Sequence, residues 1–282
     1  MPFEWGAASP AGDKAALVLV DRSTTKGTPS RFSIHLLDVK TGELKLLVED
    51  GRLPAWSPDG TRIAYRSRVA EDVPRVLMDG TRIITGTQRI WTEGLQVVDV
   101  TTKITTTLFT VEPGTEHTVA DIQWSPVRDR IAFIKTHSDF WEAGAILTVP
   151  ADGRGETIEL TSMDSNAVAA GWSGDGKQIV GGTVWVADTT AGERKGLPST
   201  QYMTMGSLPT WIADSEWIVF TGKKDFEYET YSSNDLWIVN AQDGRLQRLT
   251  QTQESTGYPH WVPNTPKLLF SEQGVGIWEL DL

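Results

Sequence analysis

Few residues in this chain could do chemistry, and they are scattered. There are 4 His (His35, His117, His137 and His260) and no Cys. Glu116-His117 and His137-Ser138-Asp139 each place an imidazole beside a carboxylate, the pairing that acid–base catalysis or a metal site would need. Neither shows the spacing of H-E-x-x-H, and without thiolates no zinc ligand set is spelled out, so no metal is expected. The string Gly171-Trp172-Ser173-Gly174-Asp175 approaches the G-x-S-x-G of a nucleophile elbow, but it ends on Asp where that turn needs Gly. There is no P-loop, G-x-G-x-x-G or calcium loop, and no cofactor is expected.

Composition narrows the field further. The 282 residues carry a formal net charge of -11, and Lys and Arg are dispersed. A nucleic-acid binder would show a basic stripe, so nucleic acid is not an expected partner. No stretch reaches the ~20 apolar residues of a membrane-spanning helix. The opening MPFEWGAASP lacks the basic and apolar regions of a secretory signal. As it stands the chain reads as cytoplasmic, or as periplasmic or extracellular if a signal has been removed; zero Cys fits either. It is expected to be a monomer without disulfides.

The elements that must position any site come from a recurring hairpin. Leu53–Ser67, LPAWSPDGTRIAYRS, reads as a strand ending on Trp56, a Ser-Pro-Asp-Gly turn and a second strand. The same unit recurs with its pre-turn residue at Ala8, Trp56, Trp124, Trp172, Trp211 and Trp261, at separations of 48, 68, 48, 39 and 50. Periods of roughly 40–50 residues mark propellers and other repeat folds. Each unit continues with a third strand (Phe32–Val39, Leu95–Val100, Ala145–Val149, Val184–Ala187, Leu236–Asn240, Ile277–Leu280) and then a fourth, such as Leu44–Val48 or Leu246–Thr250. The second strands (AALVLV, IAFI, IVF, LLF) are apolar on both faces, which suits sheets stacked face to face. The expected fold is all-β: one six-bladed β-propeller over 1–282, with about four antiparallel strands per blade.

The W-S-P-D-G repeat followed by an I-A-F-type strand resembles the TolB-like propeller family, itself WD40-like. The match covers almost the whole chain. It is close in repeats two and three, fair in one and four, and weak in five and six, where Ile212-Ala213-Asp214 and Val262-Pro263-Asn264 replace Ser-Pro-Asp. TolB binds envelope proteins but has an additional N-terminal domain that this chain lacks, so the resemblance does not imply a Tol-type role. Prolyl-oligopeptidase-like enzymes carry similar propellers beside a hydrolase domain, and some carbohydrate lyases resemble them too.

Two departures from the repeat bear on architecture. The last unit stops after its third strand, so either Met1–Trp5 fills that edge or the last blade has three strands. Blade two carries an insertion at about 68–93, read as an extra hairpin, Arg75–Met78 against Arg82–Thr85, turning at Asp79-Gly80.

Long connections are expected on one face, joining strand two to strand three and one blade to the next. Function concentrates on such loops. They hold Trp91, Phe140, Trp141, Tyr202, Phe226, Tyr228 and Tyr231, aromatics of the kind enriched at protein interfaces. His117, His137, His260 and Asp121 fall on the same face. The primary reading is a non-catalytic module that docks a protein segment or peptide there. The alternatives are a carbohydrate lyase or hydrolase using these His with carboxylates near the channel mouth, or the propeller part of a larger peptidase-like protein.

Overall fold

Ser57 shows how the second repeat makes its first turn. Its hydroxyl donates to Asp59 Oδ1 at 2.6 Å and accepts the Arg62 N–H at 2.9 Å, while Thr61 N–H donates to the same carboxylate oxygen at 3.0 Å. Gly60 closes the turn at φ 70°, a conformation that costs a Cβ-bearing residue. Ser173, Asp175 and Gly176 repeat the arrangement, with Ser173 donating to Asp175 at 2.7 Å and accepting Gln178 N–H at 3.0 Å. The Ser-Pro-Asp-Gly signature is thus a side-chain-locked turn.

In the computed structural model, among the described residues, every regular element is a strand. The described residues are 3–21, 30–79, 82–112, 115, 117–137, 140–162, 170–181, 184–189, 194–197, 203–212, 216–224, 234–251, 256–262, 265–272 and 274–282. Their strands form six meander sheets in chain order, five of four strands and a last one of three. The first holds β1 (Phe3–Ala8), β2 (Lys14–Asp21), β3 (Arg31–Asp38) and β4 (Leu44–Glu49). The second holds β5 (Gly51–Trp56), β6 (Arg62–Asp79), β7 (Arg82–Asp99) and β8 (Thr105–Thr110). The third holds β9 (His117–Trp124), β10 (Arg130–His137), β11 (Phe140–Pro150) and β12 (Ile158–Glu159). The fourth holds β13 (Ala170–Trp172), β14 (Gln178–Gly181), β15 (Trp185–Asp188) and β16 (Arg194–Gly196). The fifth holds β17 (Met203–Trp211), β18 (Trp217–Lys224), β19 (Asp235–Asn240) and β20 (Leu246–Arg248), and the sixth β21 (Thr256–Val262), β22 (Lys267–Glu272) and β23 (Gly276–Asp281).

The chain divides into two compact units. One comprises Met1–Ile122, His137–Asp139 and Pro150–Gly155; the other comprises Gln123–Thr136, Phe140–Val149 and Glu156–Leu282. In the first, Ala16, Val18 and Ile34 of sheet one pack with Trp56, Ile63, Tyr65 and Val98 of sheet two. The Trp56 indole donates to Ala7 O at 2.9 Å, tying the second sheet's pre-turn residue to the first sheet's first strand. In the second unit the Trp172 indole makes the equivalent bond to Gln123 O at 3.2 Å. There Val180 and Val186 pack on Phe220 and Trp237, and Val219 and Ile238 on Leu268 and Phe270. The second strands are buried on both faces as their composition predicts: Ile63 and Ala64, Ile131 and Ala132, and Ile218, Val219 and Phe220 are all fully buried. Filling both faces of a strand forces sheet against sheet.

One expectation is extended, and one of two alternatives is decided. Residues 68–93 are mostly strand and do not form a loop bearing a separate hairpin. β6 and β7 pair without interruption from Arg62↔Asp99 to Asp79↔Arg82, and the expected pairing of Arg75–Met78 with Arg82–Thr85 is the far end of that ribbon, Arg75 itself standing opposite Gly86. β-branched residues recur on both strands (Val69, Val73, Val76, Ile83, Ile84, Ile90), so the paired ribbon continues through the insertion. Of the two alternatives for the last sheet, three strands is the one found among the described residues, and β1 pairs with β2 of its own sheet, Trp5 standing opposite Val18.

The turn carries a pH signature. The Ser57 hydroxyl and the Thr61 N–H hold the Asp59 carboxyl down to about 2. A lowered folded value contributes stability above the ordinary 3.8 and loses it as pH falls through the folded value. Asp59→Asn should therefore lower stability at neutral pH, with the gap closing as pH drops from about 4 towards 2. Urea denaturation at stepped pH checks this; a gap constant down to pH 2 would count against it.

Candidate functional site

One end of each sheet carries the tight turns. The opposite end carries the second-to-third strand connections and the passages between sheets. At that end of the first unit, three strands converge on a carboxylate. Arg66 and Arg68 stand two residues apart on β6 and so share a face. Glu93 of β7 lies opposite Arg68 in the register. Its Oε1 sits 3.5 Å from Arg66 Nη2 and 3.6 Å from Arg68 Nε, and its Oε2 accepts the Thr118 hydroxyl of β9. Arg66 Nη1 also donates to Val119 O at 3.5 Å. The Glu93 and Arg66 side chains are 14% and 17% exposed, so this pair is screened less than a surface ion pair, while Arg68 at 37% reaches solvent.

The backbone around Glu93 is tightly held. Val111 N–H donates to Glu93 O at 2.8 Å. A Cβ on the next residue, Gly94, would fall 2.5 Å from Phe109 O, so only glycine lets β8 approach there. Burial pushes the Tyr65 phenol up, and it donates to Gln96 Oε1 at 2.6 Å. Opposite Arg66 stands Arg52 of β5, a like-charged cross-strand pair. The two guanidiniums take different partners: Arg52 lies 3.8 Å over the Phe32 ring, and Arg66 turns to Glu93. Arg52, Arg66, Arg68 and Glu93 thus stand together at one end of the second sheet.

Beside Thr118, the His117 ring lies 4.4 Å from that of His137, centroid to centroid, tilted by 59°. Of the expected site residues, these two are the pair the structure brings together. Two imidazoles at this distance can bind a carboxylate or pass a proton. Among the described residues no group of three His, Cys, Asp or Glu is placed to hold a metal. Asp121 is half-buried in β9 with φ 45°. It marks a recurring device: Leu53, three residues before Trp56, has φ 51°, and Asp121 is three before Trp124. The registers of β5, β17 and β21 slip at the corresponding point. Such bulges bend a first strand and re-aim its side chains.

The remaining expected site residues divide into two sets. Trp91 lies in β7 opposite Ala70, His260 in β21 opposite Leu269, and Phe140 and Trp141 in β11. These four were expected on loops or at a strand's start, and the strands extend further than predicted; only their backbone is described. Tyr202, Phe226, Tyr228 and Tyr231 lie outside the described residues. Sequence reasoning missed Arg52, Arg66, Arg68, Glu93 and Thr118. The alternation of Arg66 and Arg68 was a usable signal, but reading 68–93 as an insertion broke the strand between Arg68 and its partner.

No protein-family model matches the sequence, and no curated protein does. Solved structures do. The β-propeller domain of the Trilobed protease from Pyrococcus furiosus, which has an open velcro topology, superposes at TM-score 0.66 and 14% identity over 99% of this chain and 80% of that one. Acylaminoacyl peptidase from Pyrococcus horikoshii gives 0.60 and 17% over 99% of this chain and 44% of that one. A structure from Agrobacterium tumefaciens assigned to TolB gives 0.51 and 18% over 89% and 85%. The fold is that of a β-propeller whose structural neighbours include TolB and the propellers of peptidases, and the chain spans less than half the length of the acylaminoacyl peptidase.

Glu93→Gln keeps the side chain's size and removes the charge that both guanidiniums face. It should cost roughly 1–3 kcal/mol at neutral pH, and Thr118→Val about 1 kcal/mol. Chemical denaturation of the two variants checks this; a Glu93→Gln protein as stable as the parent would show that the carboxylate does not anchor the cluster.

Proposed function

We propose that the six sheets are the blades of one propeller domain, 1–282, and that this domain is a non-catalytic docking module. It takes a protein segment or peptide at the end where Arg52, Arg66, Arg68, His117 and His137 gather. The chain works as a monomer, and the preferred segment carries carboxylates. The observation that supports this reading most is the pair Arg66 and Arg68 gathered on the Glu93 carboxylate, with Arg52 opposite Arg66, in a chain of net charge -11. Arginine recognises carboxylates in a two-pronged geometry that lysine cannot match. Trp91 and Asp121 are further proposed contacts in this unit. The second unit's positions, Trp141 and Tyr228 among them, are proposed binding residues in their own right.

The test is fluorescence anisotropy with a panel of acidic, neutral and basic peptides. Acidic peptides should bind, with affinity falling as salt rises. Arg68→Glu should weaken binding at least tenfold, about 1.4 kcal/mol. Equal binding of acidic and basic peptides, or no effect of Arg68→Glu, would remove this reading.

A second reading is that this propeller belongs to a larger peptidase-like protein. It is favoured by the likeness to acylaminoacyl peptidase, which takes in 99% of this chain and 44% of that one. An immunoblot of source cells should then show a band well above the 31.1 kDa of this sequence, co-purifying with acyl-peptide hydrolysis. A single band at that mass without hydrolysis would exclude it.

A further inference from the structure

The β6–β7 ribbon outruns the strands beside it. β5 pairs with β6 only as far as Ser67, and β8 pairs with β7 only from Gly94 onward. Past those points β6 and β7 form a two-stranded arm among the described residues, paired to Asp79↔Arg82. β8 leaves the side of β7 for a local reason. After Val111 the chain turns, Thr115 N–H donating to Glu112 O at 3.2 Å, and β9 begins at His117.

Two hydrogen bonds at the foot of the arm fix which main-chain groups face outward. Arg68 N–H donates away from β7, to Asp50 O at 3.1 Å. Glu93 O accepts on the opposite side, from Val111 N–H at 2.8 Å. Arg68 and Glu93 stand opposite each other, so they form a pair that exchanges no main-chain bonds across the ribbon. Such pairs alternate along an antiparallel ladder, and this register runs without a slip. On β6 the outward groups are therefore those of Ala70, Asp72, Pro74, Val76 and Met78. On β7 they are those of Trp91, Arg89, Thr87, Thr85 and Ile83. The two flanks are unlike. The middle outward residue of β6 is Pro74, which has no N–H to offer and takes none from the ribbon by standing there. Each outward residue of β7 has both groups. Residues 82–92, RIITGTQRIWT, are mostly β-branched or aromatic, with no Pro and no acidic residue.

We infer that the β7 flank of this arm takes an acidic segment of a partner protein as an added strand. This rests on the docking of a carboxylate-bearing segment proposed above, and says how that segment is held. The segment runs antiparallel to β7, in line with β8. Its N-terminal end lies at the foot, by Arg66 and Arg68, and its main chain bonds to Trp91, Arg89, Thr87, Thr85 and Ile83. Main-chain bonds supply affinity and alternate side chains supply selectivity, as in β-strand addition generally. Charge selects the occupant. Arg89 is the one charged residue from Ile83 to Thr92, and a basic residue set opposite it would be destabilising. Asp72 stands opposite Arg89 on β6, so an acidic residue on the other side continues an alternation of sign across the strands. At the foot, Arg68 is 37% exposed and meets the segment's leading carboxylates.

The probe is a labelled peptide, EETVEVTVTVT, whose third residue stands opposite Trp91 and whose fifth stands opposite Arg89. The 282-residue protein should bind it saturably. N-methylation of the seventh residue, whose N–H faces Thr87, should weaken binding by roughly tenfold or more. N-methylation of the eighth, whose N–H faces away from β7, should leave binding within about twofold. Lys in place of the fifth residue should also cost roughly tenfold. So should Thr85→Pro in the protein, which removes an outward N–H and no bond to β6. The peptide comparisons hold whatever that variant does to the arm. Equal binding of the two methylated peptides overturns the proposal, as does unchanged binding of the Lys peptide or by Thr85→Pro. If the seventh-residue methylated peptide binds like the unmodified one, carboxylate docking stands and strand addition falls. If the protein binds no acidic peptide, both fall. A parent dimer by light scattering that Thr85→Pro converts to monomer assigns the flank to a second copy and overturns the proposal too.

Discussion

A strand buried on both faces cannot stand alone, and the rest of the structure follows from meeting that demand. Ile63 and Ala64 face opposite ways along β6, and both are fully buried. Each sheet therefore needs a neighbour in front and another behind. Within each unit the clusters joining successive sheets answer this need, with the indoles of Trp56 and Trp172 bonded across to the preceding sheet's carbonyls. Fully burying a side chain of this size contributes about 1.5–3 kcal/mol, more than any single surface pair in the molecule is worth.

That packing leaves the sheet ends free for polar chemistry. At one end the Ser–Asp turns use their side chains on their own backbones and have little left for a ligand. At the other, strands run past their neighbours and carry charged residues with them. The Glu93 cluster has that origin: β6 and β7 go on beyond the buried core, and arginines and a carboxylate appear where apolar residues are no longer required. The bulges at Leu53 and Asp121 belong to the same zone, where first strands bend and backbone strain is tolerated.

Much of the sheet pattern was legible because it is written in local chemistry. Trp-Ser-Pro-Asp-Gly encodes a turn whose bonds lie within six residues, and two-faced apolar runs encode burial. The second-to-third strand hairpins were legible in type but not in extent, since nothing local says when a paired ribbon stops. The insertion was misread for that reason: Arg75–Met78 and Arg82–Thr85 pair as expected, yet they are the tip of strands that begin at Arg62 and end at Asp99. The candidate site was mostly hidden. His117 and His137 stood out by residue type, but Glu93 takes its meaning from Arg66, Arg68 and Thr118, which lie 25 to 27 positions away in sequence and meet it only through register. Bulges that slip the register are equally invisible to a pattern search with period two.

The β6–β7 ribbon has one more consequence. At 18 residues per strand it is roughly 60 Å long. β5 accompanies β6 only as far as Ser67, and β8 accompanies β7 only from Gly94 onward. Beyond those points no third strand flanks the arm among the described residues, and an open strand flank invites edge-to-edge pairing. The sequence of β6 beyond Ser67 carries Glu71, Asp72, Pro74 and Arg75, residue types that blunt an open strand edge.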